Sequence, residues 1–172
     1  MKRTIVVGIM VIVCFLLQST LFQALAFASI APNLMIIVTS SFGFMRGKKE
    51  GMLIGFFSGL LMDIFFGSVI GFYALIYMYI GYANGFFRKL FFPEDIKLPM
   101  ILIFASDVIY NFLVYFFQFL FRGQFSFLFY LKNIIIPELV YTILVTIFLY
   151  FILLMVNQKL EMTEKRSTGK FV

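Results

Sequence analysis

The sequence contains no histidine and no tryptophan, and Cys14 is its single cysteine. A disulfide within the chain is therefore excluded, and zinc sites of the Cys/His kind lack their ligands. Serine–histidine and cysteine–histidine nucleophile pairs are excluded as well, because no imidazole is present to act as base. Charge is also scarce. Only 13% of residues are Asp, Glu, Lys or Arg, about half the share found in soluble domains. The 14 basic residues outnumber the 8 acidic ones, for a formal net charge of +6. In a chain this poor in charge, the excess reads as lysines and arginines in cytoplasmic loops rather than as a nucleic-acid surface.

Apolar side chains fill the space that charge leaves. They make up 63% of the residues, and the mean hydropathy is +1.05. A chain of 172 residues cannot enclose that much apolar surface in a water-facing fold, so lipid must cover the excess. A soluble enzyme and a large extramembrane domain are both excluded. The fold class is an all-α integral membrane bundle, and six spans of ~20 residues would take up ~120 positions.

The charges punctuate the chain into apolar blocks. Lys2 and Arg3 precede an uncharged stretch to Met45, long enough for two helices with a break at Pro32-Asn33. The spans are expected at about 4–28, 33–45, 52–66, 71–87, 98–121 and 134–156, with a cytoplasmic tail over 157–172 that lacks order toward its end. Arg46 to Gly51 reads as a basic turn, and Gly67 to Gly71 as the tip of a hairpin. The third span, 15 residues, rises only ~22 Å and needs protein neighbours or a thin bilayer. The stretches 88–97 and 122–133 carry Phe91, Phe92, Phe125, Phe127, Phe129 and Tyr130, which favour the membrane interface. With the N-terminus inside, 12 of the 14 basic residues fall on the cytoplasmic side, and only Arg122 and Lys132 fall outside. Both ends are therefore expected in the cytoplasm. Ala24-Leu25-Ala26 resembles a signal-peptide cleavage site, but Gln18, Ser19, Thr20 and Gln23 make the preceding stretch polar, so no cleavage is expected.

Within the spans the most regular feature is a four-residue series: Gly51, Gly55, Gly59, Asp63, Gly67 and Gly71. Positions four apart form one helical ridge, and glycines on it let another helix approach closely. That helix is either one of the chain's own or a partner's. Three carboxyls also lie in apolar surroundings, where each needs pairing, protonation or water. Asp63 and Glu138 are expected near the outer surface, within reach of Arg122 or Lys132, and Asp107 near the midplane. Asp107, Asn111 and Gln118 share one helical face, while Gln18 and Ser19 offer amide and hydroxyl partners on the first helix. This polar set is either a structural network or a transport path. An intramembrane aspartyl protease is disfavoured, because neither Asp63 nor Asp107 sits in a G-x-G-D context and their depths differ. No P-loop and no metal-ligand cluster is present, so no cofactor is expected. The 26 Phe read as lipid-facing or packing residues. Tyr73, Tyr82 and Tyr130 suit an interfacial belt, and Tyr77 and Asn84 suit inward positions.

The order of several motifs is familiar. Leu17-Gln18-Ser19-Thr20-Leu21-Phe22 ends the first helix, and Pro32-Asn33-Leu34 opens the second. Gly43 to Gly47, Gly55-Phe56-Phe57-Ser58-Gly59-Leu60-Leu61-Met62-Asp63 and Gly71-Phe72-Tyr73-Ala74-Leu75 follow. Together these resemble MreD, the rod shape-determining membrane protein of bacteria, in its Bacillus-like form. The resemblance implies a six-helix fold similar to the S component of energy-coupling-factor transporters, in the bacterial plasma membrane. It also implies a non-enzymatic place in the machinery of lateral peptidoglycan synthesis. The partners it implies are MreC and, through MreC, MreB, RodA and a class B penicillin-binding protein. Gln18, Pro32, Asn33, Gly55, Gly59 and Asp63 match the family's pattern. The joint expectation is that the Gly51/Gly55/Gly59 ridge positions the short third helix, Asp63 polarises its outer end and the assembled bundle holds the MreC helix, so that Gly55→Leu breaks copurification without blocking insertion. Two alternatives stand: a small-molecule (vitamin) uptake subunit, and a lipid- or precursor-handling carrier using the Asp107 face.

Overall fold

The computed structural model describes residues 2–21, 31–92, 95–118 and 127–168. Within them the chain is helical and contains no strand. The helices are α1 (Lys2–Ser19), α2 (Leu34–Arg46), α3 (Lys48–Phe66), α4 (Phe72–Asn84), α5 (Lys97–Gln118), α6 (Phe127–Tyr130) and α7 (Ile136–Thr168). A 3-10 turn, Gly85–Leu90, extends α4, and a π turn, Leu131–Ile135, joins α6 to α7. Pro137 lacks an N–H, so the α ladder is interrupted where α7 begins, and the π turn lies just before this point. Two stretches, Lys97–Phe117 and Leu128–Thr163, are long and apolar enough to cross a membrane, and Arg3–Ser19 and Leu34–Arg46 are shorter apolar helices.

Helix α2 is the hub. All thirteen of its residues are buried, and it packs against α1, α3, α4, α5 and α7. An apolar helix can be a core element or a lipid-facing span, and the burial of every residue makes α2 a core element. The composition of α2, Leu-Met-Ile-Ile-Val before Thr39-Ser40-Ser41 and then Phe42, Phe44 and Met45, fits that place. At its C-terminal end the buried Arg46 donates from Nε to Asn157 Oδ1 and from Nη2 to the Asn157 backbone oxygen, tying α2 to α7. Asn157→Ala therefore removes the Oδ1 acceptor of a buried guanidinium and leaves only the backbone oxygen of that residue. Thermal melting should show a loss of roughly 1–3 kcal/mol.

Several boundaries differ from the sequence reading. The basic turn shrinks to one residue, Gly47, whose φ of 100° breaks the chain between α2 and α3. The third helix therefore begins at Lys48 and gains a full turn over the expected 52–66. The fourth helix stops at Asn84 and tightens into the 3-10 turn instead of running to 87 as α-helix. The largest difference is at the sixth span: α7 continues past the expected 156 to Thr168, and Asn157 is buried against Arg46. Residues 169–172, where the tail is expected to lack order, lie outside the described residues. The first helix is described only to Leu21, so the expected stretch to residue 28 lies outside the described residues. The same holds for Arg122 and Phe125 in the connection before α6.

Candidate functional site

The glycine ridge of α3 is filled by α4. A Cβ built on Gly55 would overlap the backbone carbonyl of Tyr77. One on Gly59 would meet Tyr73 and Ala74, and one on Gly51 would meet Gly81. The contacts run antiparallel in four-residue steps, so α4 carries the complementary ridge of Tyr73, Tyr77, Gly81 and Gly85. Gly43 of α2 enters the same contact: a Cβ there would strike the Gly81 carbonyl. Three backbones thus meet at Gly43, Gly51 and Gly81. Of the two readings of the ridge, the chain's own helices fill it, because α3 turns its glycines toward α4 and α2. Gly81 and Gly85 were overlooked in the sequence, although their four-residue spacing was the available signal.

Asp63, buried at the end of the ridge, is a helix cap. Its Oδ1 accepts from the Tyr73 N–H at 2.8 Å, and its Oδ2 from Gly71 at 3.0 Å and Ala74 at 2.9 Å. These are first-turn donors of α4, which otherwise have no partner within the helix. A carboxylate at the positive end of a helix is also favoured by the dipole. Gly71 makes the geometry possible with a φ of 102°, and Gly67 closes α3 on the Asp63 carbonyl. Asp63 thus needs no lysine or arginine. Lys132 is exposed, and Arg122 lies outside the described residues.

The start of α2 is capped twice. Asn33 Oδ1 accepts from Ile36 N–H at 3.2 Å and from the Tyr77 hydroxyl at 2.9 Å. Gln18 of α1 accepts from Met35 N–H at 3.1 Å, and its amide faces the sulfur of Met62. The buried Pro32 precedes this cap and accepts from Leu34 N–H. Ser19 donates only to the Leu16 carbonyl. Gln18 thus serves the backbone of α2, and Ser19 that of its own helix. The inward positions suited to Tyr77 and Asn84 are found: both are buried, and Asn84 donates to Ser106 Oγ at 2.8 Å and to the Ile80 carbonyl at 2.9 Å.

The remaining polar residues gather between α5 and α7. Asn33 N–H donates to Thr142 Oγ1 at 3.1 Å, and the Thr142 side chain also lies beside Asp107. Glu138 neighbours Asn111 and Asp107. Asp107 and Asn111 are both buried, and Asn111 turns its amide to the Asp107 backbone oxygen at 3.1 Å. The side chain of Gln118 lies outside the described residues. Tyr77 and Tyr110 pack with tilted rings, 5.2 Å between centroids. Within this cluster both Asp107 oxygens and the Asn33 amide nitrogen are buried without a hydrogen-bond partner. The contrast with Asp63 is clear: one buried carboxylate has three backbone donors, the other has none. Among the described residues no group of three or more metal-type ligands occurs.

Residues 1–160 match the family model of the rod shape-determining protein MreD. No curated protein and no solved structure matches the chain.

Proposed function

The chain belongs to the family of the rod shape-determining protein MreD, and on that footing we propose that it is a non-enzymatic scaffold of the elongation machinery. A role in rod shape determination follows from the family, and so does membrane residence. The finer reading is that it binds MreC in the bacterial plasma membrane. Through MreC it serves MreB, RodA and a class B penicillin-binding protein in lateral peptidoglycan synthesis. One observation carries this reading: the family match runs through nearly the whole chain. The use of the polar groups supports it, since Asp63, Gln18 and Asn84 act on the protein's own helices.

The topology proposed with it has six spans, formed by α1–α5 and α7, with both ends cytoplasmic. Its support is the gathering of basic residues at one end of the bundle. There Arg3 bridges Glu50 at 2.7 Å, Lys48 sits 3.4 Å from the Phe86 ring centroid, and Arg46 holds Asn157. Helices α2 and α4, at thirteen residues each, rise only ~20 Å. Both have buried faces against neighbouring helices, which lets short segments sit in a thicker bilayer.

A second reading, a carrier of a small molecule, lipid or precursor, has one observation in its favour: the orphaned carboxylate of Asp107. A replacement experiment separates the two. Depletion of the protein should convert rods to rounded cells, and a copy bearing Asp107→Asn should restore rods, since Asn keeps the shape and removes the charge. Rounded cells in the Asp107→Asn strain, at normal protein levels, would favour the carrier. Rods that persist after full depletion would contradict the scaffold role itself.

A further inference from the structure

The 3-10 turn Gly85–Leu90 has a three-residue period, so its side chains line up along three edges. The Gly85/Arg88 edge faces the junction of α2 and α3. A Cβ on Gly85 would strike the Lys48 backbone, and one on Gly47 would lie 2.9 Å from Arg88 Cδ and 3.4 Å from its Nη1. The Phe86/Lys89 edge receives Lys48 of α3, whose Nζ sits 3.4 Å from the Phe86 ring centroid. The Phe87/Leu90 edge is apolar and exposed, and the exposed Phe92 follows it. Phe91 fixes the segment to the core by packing edge-on against Phe44 of α2, at 5.4 Å between centroids. Three cationic side chains, Lys48, Arg88 and Lys89, are thus drawn to one short turn. Lys49 is exposed beside them, and none of the four forms an ion pair among the described residues.

We propose that this turn binds the phosphate of an anionic phospholipid, with the acyl chains against Phe87, Leu90 and Phe92. Like charges held together with no acid beside them lack a counter-ion, and a phosphate supplies one. Arg88 offers a planar fork of donors and the lysines offer point charges, the two ways in which proteins hold phosphate. Lys48 is positioned by the face of Phe86, and its exposed ammonium keeps its outer side open. The apolar edge selects a lipid over a soluble phosphate compound. Aromatic and aliphatic side chains next to basic ones suit the membrane interface, where both halves of an amphiphile are met. Basic clusters beside membrane helices attract anionic headgroups, at about five-fold in affinity per side chain. In the topology proposed above, the site faces the cytoplasmic leaflet.

The absence of tryptophan supplies the test. Leu90→Trp places one reporter on the exposed apolar edge. The full chain is reconstituted in phosphatidylcholine nanodiscs with rising fractions of brominated phosphatidylglycerol or brominated phosphatidylcholine. Half-maximal quenching is expected at a several-fold lower mole fraction of phosphatidylglycerol. Arg88→Gln and Lys89→Gln should each remove most of that preference. Lys159→Gln, which takes an equal charge from the C-terminal part of α7, should leave it unchanged. Lys89 is exposed, so its variant guards against misfolding, and a protected Cys14 verifies the fold of each sample. Equal quenching by the two lipids overturns the proposal. A loss with Lys159→Gln as large as with Lys89→Gln also overturns it, because the attraction would then be diffuse rather than local. Inorganic phosphate, matched in ionic strength by chloride, should not displace the brominated lipid. Displacement would overturn the lipid assignment in favour of a soluble phosphate compound.

Discussion

Gly55→Leu is expected to yield protein that reaches the membrane but does not survive extraction as a folded, monodisperse species. The reason is backbone contact: the added Cβ alone overlaps the Tyr77 carbonyl, and the rest of a leucine has nowhere to go unless α3 and α4 separate. Gly55→Ala is the graded version. Overpacking of a tight contact costs roughly 1–3 kcal/mol, and here the obstruction is backbone rather than a side chain that can rotate away. Cys14 makes the measurement convenient, being the only cysteine, free and buried. A thiol-reactive fluorophore should label it only as the bundle opens, so a melt of each variant reads the loss directly. The order wild type, Gly55→Ala, Gly55→Leu is expected. A Gly55→Leu protein that melts like wild type yet fails to bind a partner would show that this glycine serves an interface instead.

The second large effect is expected at Asp63. Asp63→Ala removes the acceptor of three backbone N–H groups at once, at the start of a helix whose backbone packs directly on the α3 glycines. Bonds to a charged acceptor are worth more than neutral ones, and stranded donors add their own desolvation cost. The loss should reach about 3 kcal/mol, a large share of a typical total stability. Asp63→Asn should fall between. Its single side-chain oxygen can serve Gly71 and Ala74, but its amide then faces the Tyr73 N–H. The same thiol melt should rank wild type, Asn, Ala. If alanine melts with wild type, the cap is not what holds α4. If Asn is as damaging as alanine while the fold is intact, the charge itself has a further role.

These two sites also show what was legible in the sequence. The four-residue glycine series is a local pattern, and it correctly marked a close helix approach. Its partner ridge was harder to see because it mixes Tyr73 and Tyr77 with Gly81 and Gly85: the large side chains point away while their carbonyls make the contact. Asp63 was recognised as costly in lipid, but the remedy expected was an arginine or lysine. The actual donors are backbone N–H groups eight to eleven residues later, which no side-chain pattern encodes. Asn33 was legible as a break and is indeed the cap of α2. The closing of that cap by Gln18, Tyr77 and Thr142 depends on which helices pack together, and periodicity does not carry that information. The continuation of α7 beyond residue 156 was not legible for a related reason. Asn157 looks like the end of an apolar run, yet its side chain meets Arg46, a partner 111 positions away.

The helix-packing assignment of the ridge changes where a partner can bind without weakening the scaffold reading. Substitutions on the α3–α4 contact should act through stability. Exposed apolar side chains such as Ile101, Phe112, Leu144 and Phe148 remain on α5 and α7, where membrane neighbours are ordinary. The most direct measurement of the central proposal is copurification. The wild-type protein, tagged on α7 beyond residue 168 and extracted in mild detergent, should retain MreC through size exclusion at physiological salt. Folded protein, verified by a protected Cys14, that elutes without MreC from membranes containing both would contradict the account.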